Sequence, residues 1–312
     1  HTISFHVTGV QSCALPIYNG MNTRKERLIQ WLLAGISTLS ILSMAGIVLF
    51  LLLDGLPFFK DYPLFDFLFG LGWYPTDEPM EFGILPLIAG SFTVMALATV
   101  IAVPLGVATA IYLAEVAKPG MRRIVKPFVE LLAALPSVVI GFFGMVVVAP
   151  FLQNFFGASS GLNLLNAGLM LAFMSVPIIC SVAEDAIYSV PRELREASLS
   201  LGATKWETLT RVVLPAASSG IGTAVMLGMS RSIGETMVVL MVAGGAAVIP
   251  TSLFDSVRPI PASIAAEMAE APFHSEHYFA LFATGIVLII FTLIFNATAF
   301  RIAEKRNSGI GC

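Results

Sequence analysis

Apolar residues gather along the chain in six runs, near 28–53, 82–116, 127–151, 166–188, 216–250 and 278–300, separated by polar connections. A helix crosses a hydrocarbon core of ~30 Å in about 20 residues, so each run is long enough for one crossing. The second and fifth runs are the longest, but two crossings and a turn need more than about 40 residues. Each is therefore read as one tilted helix with an interfacial extension. Pro86 and Pro104 mark kink points in the second, because proline lacks an N–H and crowds the preceding turn. The pattern predicts an all-α polytopic membrane protein with six transmembrane helices.

Composition agrees. Hydrophobic residues make up 57% of the chain and charged residues 12%, against roughly 25% charged in an average soluble domain, and the mean hydropathy is +0.87. Cys13, Cys180 and Cys312 offer neither a disulfide framework nor metal-ligand spacing. Residues 1–20 lack a basic n-region, and Pro16 interrupts their only apolar stretch, so they do not read as a signal peptide. Val7 to Ile17 resembles sequencing-adapter read-through, and 1–20 are expected to be a non-native leader. A membrane domain is expected over 21–306, followed by a tail at 307–312.

Basic residues test the six crossings, since they collect in cytoplasmic connections. Arg24, Lys25 and Arg27, then Lys118, Arg122, Arg123 and Lys126, then Arg192, Arg195, Lys205 and Arg211, then Arg301, Lys305 and Arg306 all fall on one side. The other side holds only Lys60 and Arg258. The alternation predicts a bacterial inner-membrane protein with both termini cytoplasmic. The outer connections are acidic (Asp61, Asp66, Asp77, Glu78, Glu81, Glu270) and would repel a bare anion. An anionic substrate should then arrive inside a carrier protein. Trp73 and Tyr74 suit an interfacial aromatic belt.

The polar insert at 191–214 has no bilayer reason to exist. Pro191 fits the first turn of a helix, Leu194, Ala197 and Leu201 recur at helical spacing, and Gly202 provides the stop. Thr204-Lys205-Trp206-Glu207 matches a capping box that opens a second helix toward Pro215. The two helices read as a foothold for a water-soluble partner. A plain cytoplasmic loop is the alternative, whereas a DNA-reading helix-turn-helix is disfavoured by balanced charge and by tethering at both ends.

The segment Val190 to Thr204, with Glu196-Ala197, Gly202 and Leu214-Pro215 in register, resembles the coupling segment of binding-protein-dependent ABC permeases. Leu135-Pro136-Ser137-Val138-Val139-Ile140-Gly141 and Gly228 to Met237 resemble the phosphate-specific transport (Pst) permeases, as does Phe82-Gly83-Ile84-Leu85-Pro86, which has Phe where that family usually has Tyr. Glu235-Thr236-Met237 favours the PstC-type subunit. The resemblance implies a type I ABC importer permease for inorganic phosphate, coupled to its ATPase through Glu196, Ala197, Gly202, Leu214 and Pro215. It also implies three partners: a homologous PstA-like permease, a PstB-like ATPase dimer and an extracytoplasmic PstS-like binding protein. Nucleic acid is not expected as a partner, and membrane lipid is. A permease for molybdate or sulfate is the related alternative. A secondary transporter would show inverted repeats, which the sequence lacks.

Arg231 falls near the middle of the fifth run, where a charge costs roughly 2.5–3.5 kcal/mol on the translocon scale. Glu235 lies four residues on, which in one continuous helix puts both on one face, with Ala224 and Gly228 continuing it. One reading makes them a self-neutralising packing pair. In the other they line the substrate pathway, Arg231 receiving phosphate oxygens and Glu235 holding Arg231; the resemblance implies the second. Glu267, Glu270, His274, Glu276 and His277 form a loose metal-like pattern broken by Pro272, read as a loop facing lipid or the carrier rather than a metal site. Glu130, Glu184 and Asp185 are expected to snorkel or to pair with basic neighbours. No Walker-type phosphate loop and no nucleophile with its base are present, so the chain is not expected to be an enzyme or to need a cofactor.

Overall fold

Apolar runs with few internal breaks fold as helices because every backbone donor and acceptor is then satisfied within the segment. The structure, a computed structural model, describes residues 23–308. The leader 1–20, the side chains of Arg24, Lys25, Lys305 and Arg306, and Gly309 to Cys312 lie outside the described residues or side chains.

Helix α1 (Thr23–Gly55) opens the chain, and its part up to Phe50 forms a unit of its own. Its apolar side chains, Leu28, Trp31, Leu39 and Met44 among them, are exposed on every face, as expected of a helix covered by lipid. The second unit runs from Leu51. Short helices α2 (Phe58–Asp61) and α3 (Leu64–Phe69) lead to a two-stranded antiparallel ribbon, β1 (Trp73–Tyr74) and β2 (Glu81–Phe82), in which Trp73 faces Phe82. This ribbon and an isolated parallel bridge between Gly244 and Val257 depart from the all-α expectation among the described residues.

The long helices follow: α4 (Leu85–Ile111), ending in a π-helical turn at Tyr112–Val116; α5 (Pro119–Ala133); α6 (Ser137–Phe143), continued through a π-helical turn into α7 (Ala149–Phe156); and α8 (Leu164–Tyr188). Then come α9 (Arg192–Ser200), α10 (Lys205–Thr208), a π-helical turn and α11 (Leu214–Ala216). The chain ends with α12 (Ser218–Ile233), α13 (Met237–Val242), α14 (Ile260–Glu267) and α15 (Glu276–Ser308). Among the described residues, five helices are long and apolar enough to cross a membrane, and the count reaches six if the pair Lys205–Ala216 and Ser218–Ile233, bent by 66°, is one span.

Helix α8 is the hub, packed against α4, α12 and α5. Small residues set the closeness: a Cβ on Gly106 would come within 2.8 Å of Ile179, and one on Gly228 within 2.5 Å of the same side chain. Three main apolar clusters stack along the bundle. Phe58, Phe67, Trp73 and Phe82 head the one at the ribbon end, Val94, Met170 and Val238 the middle one, and Leu113, Ile187, Leu209 and Val213 the one beneath the insert.

Two spans differ from the sequence reading. The third begins at Ser137, not 127, because Pro136 takes an extended ψ of 135° as N-cap and separates α6 from α5. Helix α5 is instead amphipathic, with Arg122, Arg123 and Lys126 on one side and exposed Ile124, Phe128 and Leu131 on another. The fifth run is broken rather than continuous. Sixteen residues of α12 and six of α13 rise about 24 Å and 9 Å at 1.5 Å per residue, enough together for one crossing. From Ala243 the chain leaves the helix, and Gly244 and Gly245 take φ of 93° and 82°. The 66° bend at Ala217 is where the insert joins α12.

Trp73 is also placed differently. It is 2% exposed and its indole N–H donates to both carboxylate oxygens of Glu267, at 3.1 and 2.9 Å. It is core, not belt.

Candidate functional site

The insert folds as the sequence indicates, with one adjustment: Pro191 is the N-cap of α9 (ψ 140°), so the helix begins at Arg192. Gly202 has φ 87°, a left-handed backbone that a Cβ would strain. Thr204 Oγ1 accepts from the Glu207 N–H at 3.2 Å while Glu207 accepts from the Thr204 N–H at 2.9 Å, the reciprocal capping box. The Thr204 N–H first, and second the Thr204 hydroxyl, which donates to Glu207 Oε2 at 2.8 Å, hold the Glu207 carboxyl below its ordinary pKa. Ser198 and Thr208 hydroxyls meet at 3.0 Å and lock α9 to α10.

None of the side chains of α9 is buried. Glu196, Ala197, Gly202 and Pro215 are exposed and Leu214 is half-buried; Leu201 is 89% exposed and Trp206 70%. Leu201 and Trp206 thus stand as exposed apolar side chains on capped short helices. Beside them, a cleft of about 540 Å³ is lined by Glu115, Arg195, Leu199, Trp206 and Leu209.

The insert is tied down by ionic contacts that the sequence pattern did not specify. Arg195 pairs with Glu115 on the π-helical turn after α4, and its second nitrogen donates to the Ile187 carbonyl at 2.8 Å. Glu184, 1% exposed on the last turns of α8, faces Arg122 at 2.7 Å and Lys126 at 3.1 Å. The Arg122 contact is an ion pair without an aligned hydrogen bond, because that guanidinium also covers the Tyr188 ring at 4.7 Å. Lys126 reaches Asp185 as well, at 3.5 Å. Burial pulls the Lys126 pKa down, but the hydrogen bond and charge of Glu184, with Asp185, outweigh it and hold the ammonium above its ordinary value. The expected pairing of Glu184 and Asp185 is thus observed, whereas Glu130 is exposed.

Arg231 and Glu235 are separated by the break. Arg231 occupies the last turn of α12, exposed and without an ion pair among the described residues, where the helix C-terminus favours its charge. Gly234 is the C-cap, and the Glu235 carboxylate accepts from the Val238 N–H at 3.4 Å, capping α13 instead of holding Arg231. The expected i, i+4 pair does not form because the helix it requires stops at Ile233. Ala224 and Gly228 share a face of α12 with Arg231, but they are buried with Ser232 against α8, where the Ser232 and Ser175 hydroxyls meet at 2.9 Å, while Arg231 is exposed. Ser230 donates to Asn296 of α15 at 2.6 Å. Neither hydroxyl contact carried a spacing signal, since the partners are 57 and 66 residues apart. Gly234 at the break and Arg231 before it are both exposed.

The metal-like pattern resolves into a structural knot. Glu267 accepts from Trp73, from Ser263 at 3.2 Å and from Arg258, and meets His277 Nε2 at 2.9 Å, while Glu270, His274 and Glu276 stay exposed. No group of three His, Cys, Asp or Glu residues spaced to hold a metal occurs among the described residues.

Residues 102–307 match the family model of the binding-protein-dependent transport system inner membrane component. A probable ABC transporter permease protein of Bacillus subtilis, YqgH, is 39% identical over 241 residues, covering 77% of this chain and 78% of its own. The phosphate transport system permease protein PstC of Mesorhizobium japonicum is 38% identical over 254 residues, 75% of this chain and 77% of that one. PstC of Pasteurella multocida is 36% identical over 74% and 77%. In fold, the chain is similar to a bacterial alginate ABC transporter solved with an alginate-bound periplasmic protein (TM-score 0.64, 18% identity, 90% of this chain and 96% of that one). The MetNI methionine ABC transporter is a second match (0.54, 21%, 72% and 94%). The fold is that of the type I ABC importer permeases, and the chain belongs to the family of binding-protein-dependent transport system inner membrane components.

Proposed function

We propose that this chain is the membrane subunit of an ATP-driven importer of inorganic phosphate. The observation that carries the reading is the identity of 36–38% to PstC permeases over three quarters of both chains, joined to an insert whose Leu201 and Trp206 stay exposed among the described residues. The chain works with a homologous PstA-like permease, two copies of a PstB-like ATPase and a PstS-like binding protein. It hydrolyses no ATP and needs no cofactor of its own. Both termini and the insert are cytoplasmic, consistent with the basic residues at that end.

In this reading ATPase closure moves the insert through Glu196, Ala197, Gly202, Leu214 and Pro215, and the bundle alternates between outward- and inward-open states. Arg231 offers its unpaired guanidinium to phosphate oxygens in transit. Glu235 caps α13 at the break and sets where the irregular backbone meets the pathway.

The test is reconstitution of the four-component complex in vesicles with labelled phosphate. ATP-dependent uptake that excess phosphate abolishes and equal molybdate or sulfate does not is the expected result; preferential competition by either other oxyanion overturns the substrate assignment. Assembled complexes carrying Arg231→Gln or Glu235→Gln should lose uptake, and wild-type transport in both removes the pathway role.

A further inference from the structure

Glu184 is a carboxylate 1% exposed, placed four residues before the end of α8 and seven before the insert begins at Pro191. Burying a charge is costly unless partners compensate it, and here two cations of another helix do so, Arg122 at 2.7 Å and Lys126 at 3.1 Å. Both cations belong to α5, so the contact fastens the insert-bearing end of α8 to α5.

What α5 leads to gives the fastening its meaning. Its last residue, Ala133, is three residues from Pro136, the N-cap of α6. Helix α6 packs on α13 so closely that a Cβ on Gly141 would lie 3.2 Å from the Val238 Cα and 2.9 Å from Met241 Sδ. The Val238 N–H is the donor to the Glu235 carboxylate. A series of contacts and short connections therefore runs from the insert, through Glu184 and α5, past Pro136 and across Gly141, to the break that holds Glu235.

We infer that Glu184 is a positioning residue that transmits displacement of the insert to the broken fifth span, through Arg122 and Lys126 of α5 and the α6–α13 contact. This rests on the proposed transport function and deepens it. Spatial continuity alone does not demonstrate coupling, so the test must separate transmission from packing. The readout is the ratio of phosphate imported to ATP hydrolysed in the reconstituted complex. Glu184→Gln keeps the side-chain volume and removes the charge. It should leave ATP hydrolysis near wild type and lower uptake by about tenfold, the scale of typical coupling between sites. The exchange Glu184→Arg with Arg122→Glu should restore part of the ratio. Gly141→Ala, at the far end of the series, should uncouple in the same way and add nothing to Glu184→Gln when combined.

Parallel loss of hydrolysis and uptake in Glu184→Gln, or no loss in either, overturns the inference in favour of local packing. So does additivity of the two variants. Should Glu184→Gln not assemble, Lys126→Gln, which leaves the Arg122 pair in place, is judged by the same ratio. A wild-type complex that imports no phosphate would instead refute the function itself, leaving these outcomes distinguishable.

Discussion

At the ribbon end of the bundle, aromatic rings and one shared carboxylate hold the chain; at the insert end, ion pairs act beside a buried cluster with Leu209 and Val213, and Leu201 and Trp206 are left outside. Phe58, Phe67 and Phe82 pack edge to face at 5.2–5.3 Å between centroids, and Glu267 gathers Trp73, Arg258, Ser263 and His277 from elements up to 194 residues apart. The insert keeps Leu201 and Trp206 exposed and is tied by Arg195 to Glu115. Dispersion contacts weaken steeply with sub-ångström separation, so the ribbon end is built to stay in one arrangement. Ion pairs and caps tolerate reorientation of a rigid element, and an uncovered apolar patch needs a partner. One end is a fixed frame, the other a handle.

The comparison can be broken most forcefully at Glu267. Glu267→Gln removes the carboxylate shared by Arg258 and His277, and losing one side of a largely buried pair costs about 3–5 kcal/mol. Thermal unfolding of the purified chain, followed by tryptophan fluorescence, should show a large fall in Tm. An unchanged Tm would mean the frame does not depend on this knot. At the insert, Trp206→Ala should do the opposite, leaving Tm unmoved while weakening ATPase binding by roughly 2 kcal/mol, the size of an interface hot spot. Titration of ATPase against the detergent-solubilised permease reads this directly, and undiminished affinity would remove Trp206 from the contact.

Gly202→Ala forces a side chain into a left-handed backbone and should cost about 1–2 kcal/mol of local order, seen as faster amide exchange across 192–208 with the bundle unaffected. Thr204→Ala removes one half of the capping box and should cost about 1 kcal/mol, with faster exchange confined to 204–208. The smallest effect is one of pH. Because hydrogen bonds to Thr204 lower the Glu207 pKa, the stabilisation from this group is complete above the ordinary carboxylate range and is lost as pH falls through the lowered value. The protection of the α10 amides, taken relative to their intrinsic exchange at each pH, should be flat from pH 6 to 8 and fall only in acid; a fall near neutrality would contradict the capping assignment.

Much of this was legible in the residues themselves. Six apolar runs correspond to five membrane-length helices and one broken pair among the described residues, because a lipid-facing helix must be apolar along its whole length, which leaves a long signal. The insert was legible in detail, since Gly202 and the Thr204–Glu207 box act over three or four residues and need no distant partner. The reading erred where a proline or glycine decided between continuing and stopping. Pro136 divided α5 from α6, and Gly234 ended α12 before Glu235 could join the face of Arg231.

The sequence by itself determined that the chain spans a membrane, that it carries a capped helical insert, and which charged residues belong to each. Periodicity, capping and apolar length are local properties and are written locally. Only the tertiary structure decided the partners: Trp73 with Glu267, Glu184 with Arg122 and Lys126, Arg195 with Glu115, and Glu235 with its own helix start rather than Arg231. The physical reason is that a charge inside a bundle is compensated by whatever group packing brings within about 3 Å, and that group lies at no fixed distance along the chain.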